Sequence, residues 1–298
     1  MGPEEITPNL LATCAPPPVA EDSDKEDRGR LLVLAGGAQV AGAAILVGLA
    51  GLRVGAGKLQ MAAIPPLAAP LALAMPEARV LEVPATRGEL SEAAAQALAE
   101  AIARSDAVVV GPGMIDEAVA GELTRRLLAR AEHAAFVVDA AALTGLAGRA
   151  EAARGAGGRL VVTPHAGEMA TLLGQPKAAI LEDPLGAARA LAADFQAVVV
   201  MKGAQTFVVS PDGRAWTHRF GLPGLATSGS GDVLAGIIGG LLARGAAPMG
   251  AAAWGVWLHR RAGARLAERL GPLGFLAREL LDELPAALGD ALGEAVRP

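Results

Sequence analysis

The run Gly221-Leu222-Pro223-Gly224-Leu225-Ala226-Thr227-Ser228-Gly229-Ser230-Gly231-Asp232 leads directly into Val233-Leu234-Ala235-Gly236-Ile237-Ile238-Gly239-Gly240-Leu241-Leu242. Its second half predicts a helix, because Leu234, Ile237, Ile238, Leu241 and Leu242 recur at the spacing of one apolar helical face. Its first half predicts a loop in which Gly229 and Gly231 open the backbone and leave amide N–H groups uncovered. Amides at a helix start, with the positive end of the dipole behind them, suit an anion such as phosphate. Asp232 falls in the first turn beside that anion, where a carboxylate can take the proton of an attacking hydroxyl. Ser228, Ser230 and Asp232 are equally ordinary capping residues, so the motif by itself leaves a plain helix start as an even alternative. It is not a Walker A loop, which ends Gly-Lys-Ser/Thr. Nor is it a Rossmann fingerprint, since Leu234 stands where the third glycine belongs. The stretch Gly55-Ala56-Gly57-Lys58-Leu59 also fails the Walker spacing.

Working outward, short β-rich runs alternate with helical ones. The pattern predicts strands at Leu31–Ala35, Arg79–Val83, Ala107–Val110, Phe136–Asp139, Leu160–Thr163 and Val198–Met201. Helices are expected near 42–54, 89–104, 115–131 and 167–173. Several strands are continuous apolar runs, as a parallel sheet covered on both faces requires. Thr206–Ser210 and Arg214–Arg219, joined by Pro211-Asp212-Gly213, read as a small β-hairpin. The fold class expected is therefore α/β, with a largely parallel central sheet and helices on both faces. Residues 1–28, with Pro16-Pro17-Pro18 and the charged stretch Glu21 to Arg28, read as an N-terminal arm, and 29–298 as one domain.

Composition narrows the function. Of the 298 residues 52% are hydrophobic and only 3% aromatic, with no Tyr, so a stacking surface for single-stranded nucleic acid is not expected. A net charge of −5 gives no attraction to polyanions. The sole cysteine, Cys14, excludes an internal disulfide and a multi-cysteine metal cluster, and fits a reducing cytoplasm. No export signal is read at the acidic Met1-Gly2-Pro3-Glu4-Glu5 opening. The uncharged stretch from Leu31 to Leu52 is long enough for a membrane span, but Gly36, Gly37, Gly42, Gly48 and Gly51 with Gln39 divide it into strand, turn and helix. The later uncharged stretch through Ile64-Pro65-Pro66 and Pro70 is read as broken by its prolines.

Ligands of such sheets gather at the carboxyl ends of strands, which singles out four loops. They are Gly36-Gly37-Ala38-Gln39-Val40-Ala41-Gly42-Ala43, Gly111-Pro112-Gly113, Pro164-His165-Ala166-Gly167-Glu168 and Lys202-Gly203-Ala204-Gln205-Thr206. Each has a structural alternative: the glycines as turn residues, His165 as a helix-start side chain, Glu168 as a first-turn acid, Lys202 as a snorkelling strand end.

Together these blocks resemble, in order, the ATP/ADP-dependent NAD(P)HX dehydratase family of the ribokinase-like superfamily. The resemblance rests on Pro223 to Ile238, Arg28-Gly29-Arg30-Leu31-Leu32-Val33-Leu34-Ala35-Gly36-Gly37, Gly42-Ala43-Ala44, Arg53-Val54-Gly55-Ala56-Gly57, Gly111-Pro112-Gly113, Thr163-Pro164-His165-Ala166-Gly167-Glu168 and Lys202-Gly203-Ala204. It implies a ribokinase-like fold and a cofactor-repair enzyme that dehydrates NADHX or NADPHX at the expense of ATP or ADP. Carried over by position, it implies that Ala43, Gly113, His165 and Asp232 contact the hydrate, with Asp232 catalytic. Lys202, Gly203, Ala204, Gln205 and Thr206, together with Gly229, Ser230 and Gly231, would hold the nucleotide. Mg²⁺ would bridge its phosphates, with Glu168 reaching the ion through water. A homo-oligomer, with a tetramer as the first expectation, and no nucleic-acid or membrane partner complete the picture. The chain departs from the family pattern at Asp24-Lys25, Met114, Ile115, Ala141, Gln205 and Leu222, and its 28-residue lead is read as too short to encode the epimerase domain that sometimes precedes this one, so none is expected. Two other functions stay open: a ribokinase-like kinase of a small alcohol, and a nucleotide-binding protein without catalysis.

Overall fold

The computed structural model describes residues 2–20, 22–219 and 221–296; Glu21, at the head of the charged stretch of the arm, lies outside them. The chain opens with β1 (Glu4–Glu5) and α1 (Pro8–Thr13), then β2 (Arg30–Leu34), α2 (Gly42–Arg53), β3 (Lys58–Ala63), α3 (Pro65–Ala74) and β4 (Ala78–Glu82). A minute hairpin, β5 (Ala85–Thr86) and β6 (Glu89–Leu90), precedes α4 (Ala94–Ala97) and α5 (Ala99–Ala103). The centre is β7 (Ala107–Val110), α6 (Glu117–Leu128), β8 (Ala135–Val138), α7 (Ala140–Thr144), α8 (Ala150–Arg154) and β9 (Leu160–Val162). There follow α9 (Ala166–Leu173), α10 (Lys177–Glu182), α11 (Pro184–Phe195), β10 (Val198–Met201), β11 (Gln205–Val209) and β12 (Ala215–Arg219). Three helices close the chain: α12 (Ser230–Ala243), α13 (Pro248–Leu270) and α14 (Ala277–Val296).

Among the described residues ten strands form one sheet in the order β1-β12-β11-β10-β9-β8-β7-β2-β3-β4. From β4 to β10 every pairing is parallel, and β10-β11-β12 is an antiparallel meander at one end. The parallel part is buried on both faces because alternate side chains serve different cores. Leu31, Val33, Val109 and Val137 pack toward α2, α12 and α13, while Leu32, Leu34, Val108, Phe136 and Val138 pack toward the helices opposite.

Helix α12 lies unusually close to α2. A Cβ at Gly236 would stand 2.4 Å from Val47 O, and one at Gly240 would stand 2.6 Å from Gly51 O. Only glycine admits that approach, and it seats the N-terminus of α12 against the carboxyl edge of the parallel strands. At the amino end, β1 adds to β12, Ile6, Leu10 and Leu11 are buried, and Arg244 donates to Pro17 O at 3.2 Å.

Two local expectations fail. The single helix expected over 89–104 is the β5–β6 hairpin followed by two short helices, because Arg87 and Gly88 both take positive φ and turn the chain back. The stretch read as broken by prolines contains the short helix α3: Pro65 and Pro66 occupy its opening positions, where no intrahelical N–H is needed, and Pro70 lies inside it. No described helix is long and apolar enough to cross a membrane.

Candidate active site

Strands β8, β9 and β10 are neighbours, so the residues that end them meet at one edge. Asp139 follows β8, Thr163 and His165 follow β9, and Lys202 follows β10. The backbone extends this pairing past the strands: Lys202 N donates to Pro164 O at 2.8 Å, and His165 and Lys202 form a parallel bridge. Lys202 Nζ donates to Asp139 Oδ1 at 2.8 Å and stands 3.7 Å from Glu168 Oε2. Burial on its own lowers an ammonium's pKa, yet Asp139, Glu168 and Asp232 outweigh it and hold Lys202 above the usual lysine value.

The start of α12 is set over this cluster. Gly229 caps the helix at φ 87°, a conformation that favours glycine. A Cβ at Gly231 would lie 3.7 Å from Lys202 Nζ and 3.8 Å from Asp139 Oδ2, so bare backbone faces the charged groups. Burial, with the Asp139 charge beside it, pushes the Asp232 carboxyl up to about 6 against the opposing pull of Lys202. Such a group is mostly ionised at neutral pH and is a stronger base than an ordinary carboxylate.

Ser230 serves the loop from inside. Its Oγ pairs with His259 Nε2 at 2.9 Å and its amide donates to Thr227 O at 3.2 Å, which leaves the flanking backbone to meet a ligand. His259 is buried, and desolvation pushes its pKa down to about 4, so the ring is neutral. His165 is half-exposed and caps α9: its Nδ1 accepts from Gly167 N at 3.0 Å and Glu168 N at 3.1 Å. With Nδ1 accepting, the neutral ring carries its proton on Nε2. Glu168 closes the capping box by accepting from His165 N at 2.7 Å.

The remaining candidates fall in two places. Gly203 and Ala204 are exposed at the β10–β11 turn. Gln205 turns to Thr217 Oγ1 at 2.9 Å, and Thr206 is buried in β11. Ala43 and Gly113 lie across from each other on the other side: a Cβ at Gly113 would stand 2.5 Å from Ala43 Cβ. Pro112 O accepts from Gly36 N at 2.7 Å, which ties those two loops together. Beside them, α2, α3 and the end of β3 enclose an apolar cavity of about 220 Å³ lined by Gly36, Gly42, Ile64 and Leu71. It offers no charged group; the charged side chains gather at the Lys202 cluster instead.

Sequence reasoning passed over Asp139 and His259 as site residues. Asp139 had a signal, a carboxylate at a strand's carboxyl end. His259 sits in the buried face of a long helix, where nothing local marks it. The Thr163 hydroxyl, 1% exposed at the end of β9, makes no hydrogen bond among the described residues, as expected of a polar group at a ligand-binding edge.

The donor set also bears on a metal. Among the described residues no three His, Cys, Asp or Glu side chains converge as a cage. Asp139 and Glu168 are already engaged by Lys202 and by His165 N–H. This suits an ion carried on a ligand's phosphates and reached through water, the usual habit of Mg²⁺.

A family model described as NAD(P)H-hydrate dehydratase matches residues 31–286. The chain is 46% identical over 289 residues to the ADP-dependent (S)-NAD(P)H-hydrate dehydratase of Xanthomonas campestris, covering 96% of this chain and 97% of that one. It is 41% identical over 261 residues to a bifunctional NAD(P)H-hydrate repair enzyme of Moorella thermoacetica, covering 87% of this chain and 49% of that protein, so it spans about half of that relative. Among solved structures it is similar to the ADP/ATP-dependent NAD(P)H-hydrate dehydratase of Bacillus subtilis co-crystallised with ATP and Mg²⁺. The TM-score there is 0.82 at 28% identity, over 98% of this chain and 99% of that one.

Proposed function

The chain belongs to the NAD(P)H-hydrate dehydratase family, on a ribokinase-like fold, and on that premise we propose that it restores NAD(P)H from the S-epimer of NAD(P)HX with ADP or ATP as co-substrate. The observation that carries the reading is the Asp232 carboxylate, raised to about 6, on the same helix turn as the bare Gly231 backbone and coupled to Lys202 and Asp139.

Hydration of the reduced ring leaves a hydroxyl on carbon 6, and hydroxide is a poor leaving group. Asp232 takes the hydroxyl proton as its oxygen bonds to the terminal phosphorus and the bond to the departing nucleotide breaks, giving AMP from ADP or ADP from ATP. The amides around Gly229 and Gly231 neutralise charge on the transferred group. The ring nitrogen's lone pair then expels phosphate, and loss of a carbon 5 proton restores the dihydropyridine. A positioned base contributes about 10²–10⁴-fold in rate, and one charge-stabilising donor about 10²–10³-fold. Mg²⁺ on the phosphates, with Glu168 reaching it through water, would neutralise their charge.

In this reading Ala43, Gly113 and His165 line the hydrate side, and Lys202 to Thr206 with the α12 turn line the nucleotide side. Lys202 then acts mainly through its carboxylate neighbours. The 46% relative's ADP dependence supports ADP as the first nucleotide to try. A homo-oligomer belongs to the same proposal, supported by the exposed apolar face of α3, where Leu73 is 85% exposed; light scattering reads its mass.

The experiment is direct. Protein with NADHX, Mg²⁺ and ADP or ATP should regain absorbance at the wavelength of NADH, and Asp232→Asn should not. A stable phosphorylated alcohol in place of NADH would instead mark a small-alcohol kinase. Nucleotide binding indifferent to Asp232→Asn with no NADH formed would mark a non-catalytic binder.

A further inference from the structure

Glu89 is a carboxylate only 7% exposed, on the β5–β6 hairpin, and no step above uses it. Its Oε1 accepts from Ile115 N at 2.7 Å and Asp116 N at 3.2 Å, and Oε2 also accepts from Asp116 N at 3.2 Å. The same turn grips the loop opposite. Ala38 N donates to Gly88 O at 2.8 Å, and a Cβ at Gly37 would stand 3.2 Å from Gly88 O and 3.3 Å from Glu89 Cγ. One turn therefore holds both the loop that leads into Ala43 and the loop that presents Gly113. Amide bonds to a buried carboxylate are charge-assisted, and removing the acceptor leaves two backbone donors without their partner and the two loops without their shared tie.

We infer that Glu89 is a positioning residue that sets the spacing between Ala43 and Gly113, and so the enzyme's hold on the hydrated ring. The inference rests on the assignment of those two residues to the hydrate side. A nearby ion pair, Arg87 with Asp116 at 3.1 Å, involves an arginine side chain 78% exposed and contributes little.

The test compares Glu89→Ala, Glu89→Gln and Arg87→Ala in the full chain. Glu89→Ala should raise KM for NADHX roughly ten- to a hundred-fold, with KM for the nucleotide and kcat within about twofold. Glu89→Gln, which keeps one carbonyl acceptor, should recover most of that loss, and Arg87→Ala should stay within about twofold of wild type. Equal rises in both KM values, a fall in kcat alone, or a lower melting temperature with KM unmoved would overturn the inference.

Hydrogen exchange separates its failure from that of the function. Both glutamate variants should exchange faster at residues 36–43 and 111–116 than wild type, and unchanged at 202–206 and 229–232, whether or not wild type makes NADH. Uniform change, or none, would overturn it. If Glu89→Ala does not fold, the Glu89→Gln exchange data decide.

Discussion

The Lys202 ammonium and the Asp139 carboxylate lie 2.8 Å apart although 63 positions separate them in the chain, and both act on Asp232. Asp139 raises the Asp232 pKa and Lys202 lowers it, so removing either partner has an opposite effect. Asp139→Asn should move the acid limb of the pH–kcat/KM profile down, and Lys202→Met should move it up. Lys202→Met should also cost about 3–5 kcal/mol of stability, because it leaves buried carboxylates without their cation. Rate profiles and denaturant melts of the two variants check both effects.

In the wild type, the carboxyl near 6 sets the limb itself. Asp232 acts as a base only when ionised, so kcat/KM should be flat above about pH 7 and fall about tenfold per unit well below pH 6. A limb at the ordinary aspartate pKa would separate Asp232 from the proton transfer.

Asp232→Asn should be inactive yet more stable. A folded-state pKa above the unfolded value means that the charged form destabilises the fold. The carboxyl's contribution is favourable below the unfolded pKa of 3.8 and is lost as pH rises through about 6. The neutral amide should therefore gain on the order of 2 kcal/mol at pH 8, shrinking as pH falls toward 4. Chemical denaturation at the two pH values reads the difference.

Two glycines should respond in contrasting ways to alanine. At Gly111, φ is 116° and a Cβ would stand 2.0 Å from Asp139 O, so Gly111→Ala should cost about 3 kcal/mol. At Gly231 the nearest atoms are 3.7 and 3.8 Å away, so Gly231→Ala should melt within about 0.5 kcal/mol of wild type. Its methyl would nevertheless stand over the amides offered to phosphate, and nucleotide KM should rise at least about tenfold. Thermal melts beside initial rates make the comparison.

Breaking the buried pair at Ser230 tests the loop's support. His259→Ala should leave the serine hydroxyl unpaired, cost about 1–3 kcal/mol and weaken nucleotide binding more than hydrate binding. A denaturant melt gives the first quantity, and calorimetric titrations with ADP and with NADHX give the second.

Much of this protein is written in short stretches of chain. The apolar runs Leu31–Leu34, Val108–Val110 and Val198–Met201 specify buried parallel strands, and Gly229-Ser230-Gly231-Asp232 specifies a bare-amide helix start, because these patterns depend on neighbours within a turn or two. The β5–β6 hairpin escapes, since two-residue strands carry no period, and α3 is masked by its prolines, of which Pro65 and Pro66 open the helix and Pro70 lies inside it. What only the tertiary structure decided is who faces whom. The sheet order brings Asp139 and Lys202 to either side of the β9 end, the packing of α13 under α12 gives Ser230 its histidine, and the hairpin carries Glu89 to Ile115 and Asp116. These contacts join residues 26 to 63 positions apart, and the physical reason is that burial and strand order, which no local periodicity encodes, set both their geometry and the proton affinity of Asp232.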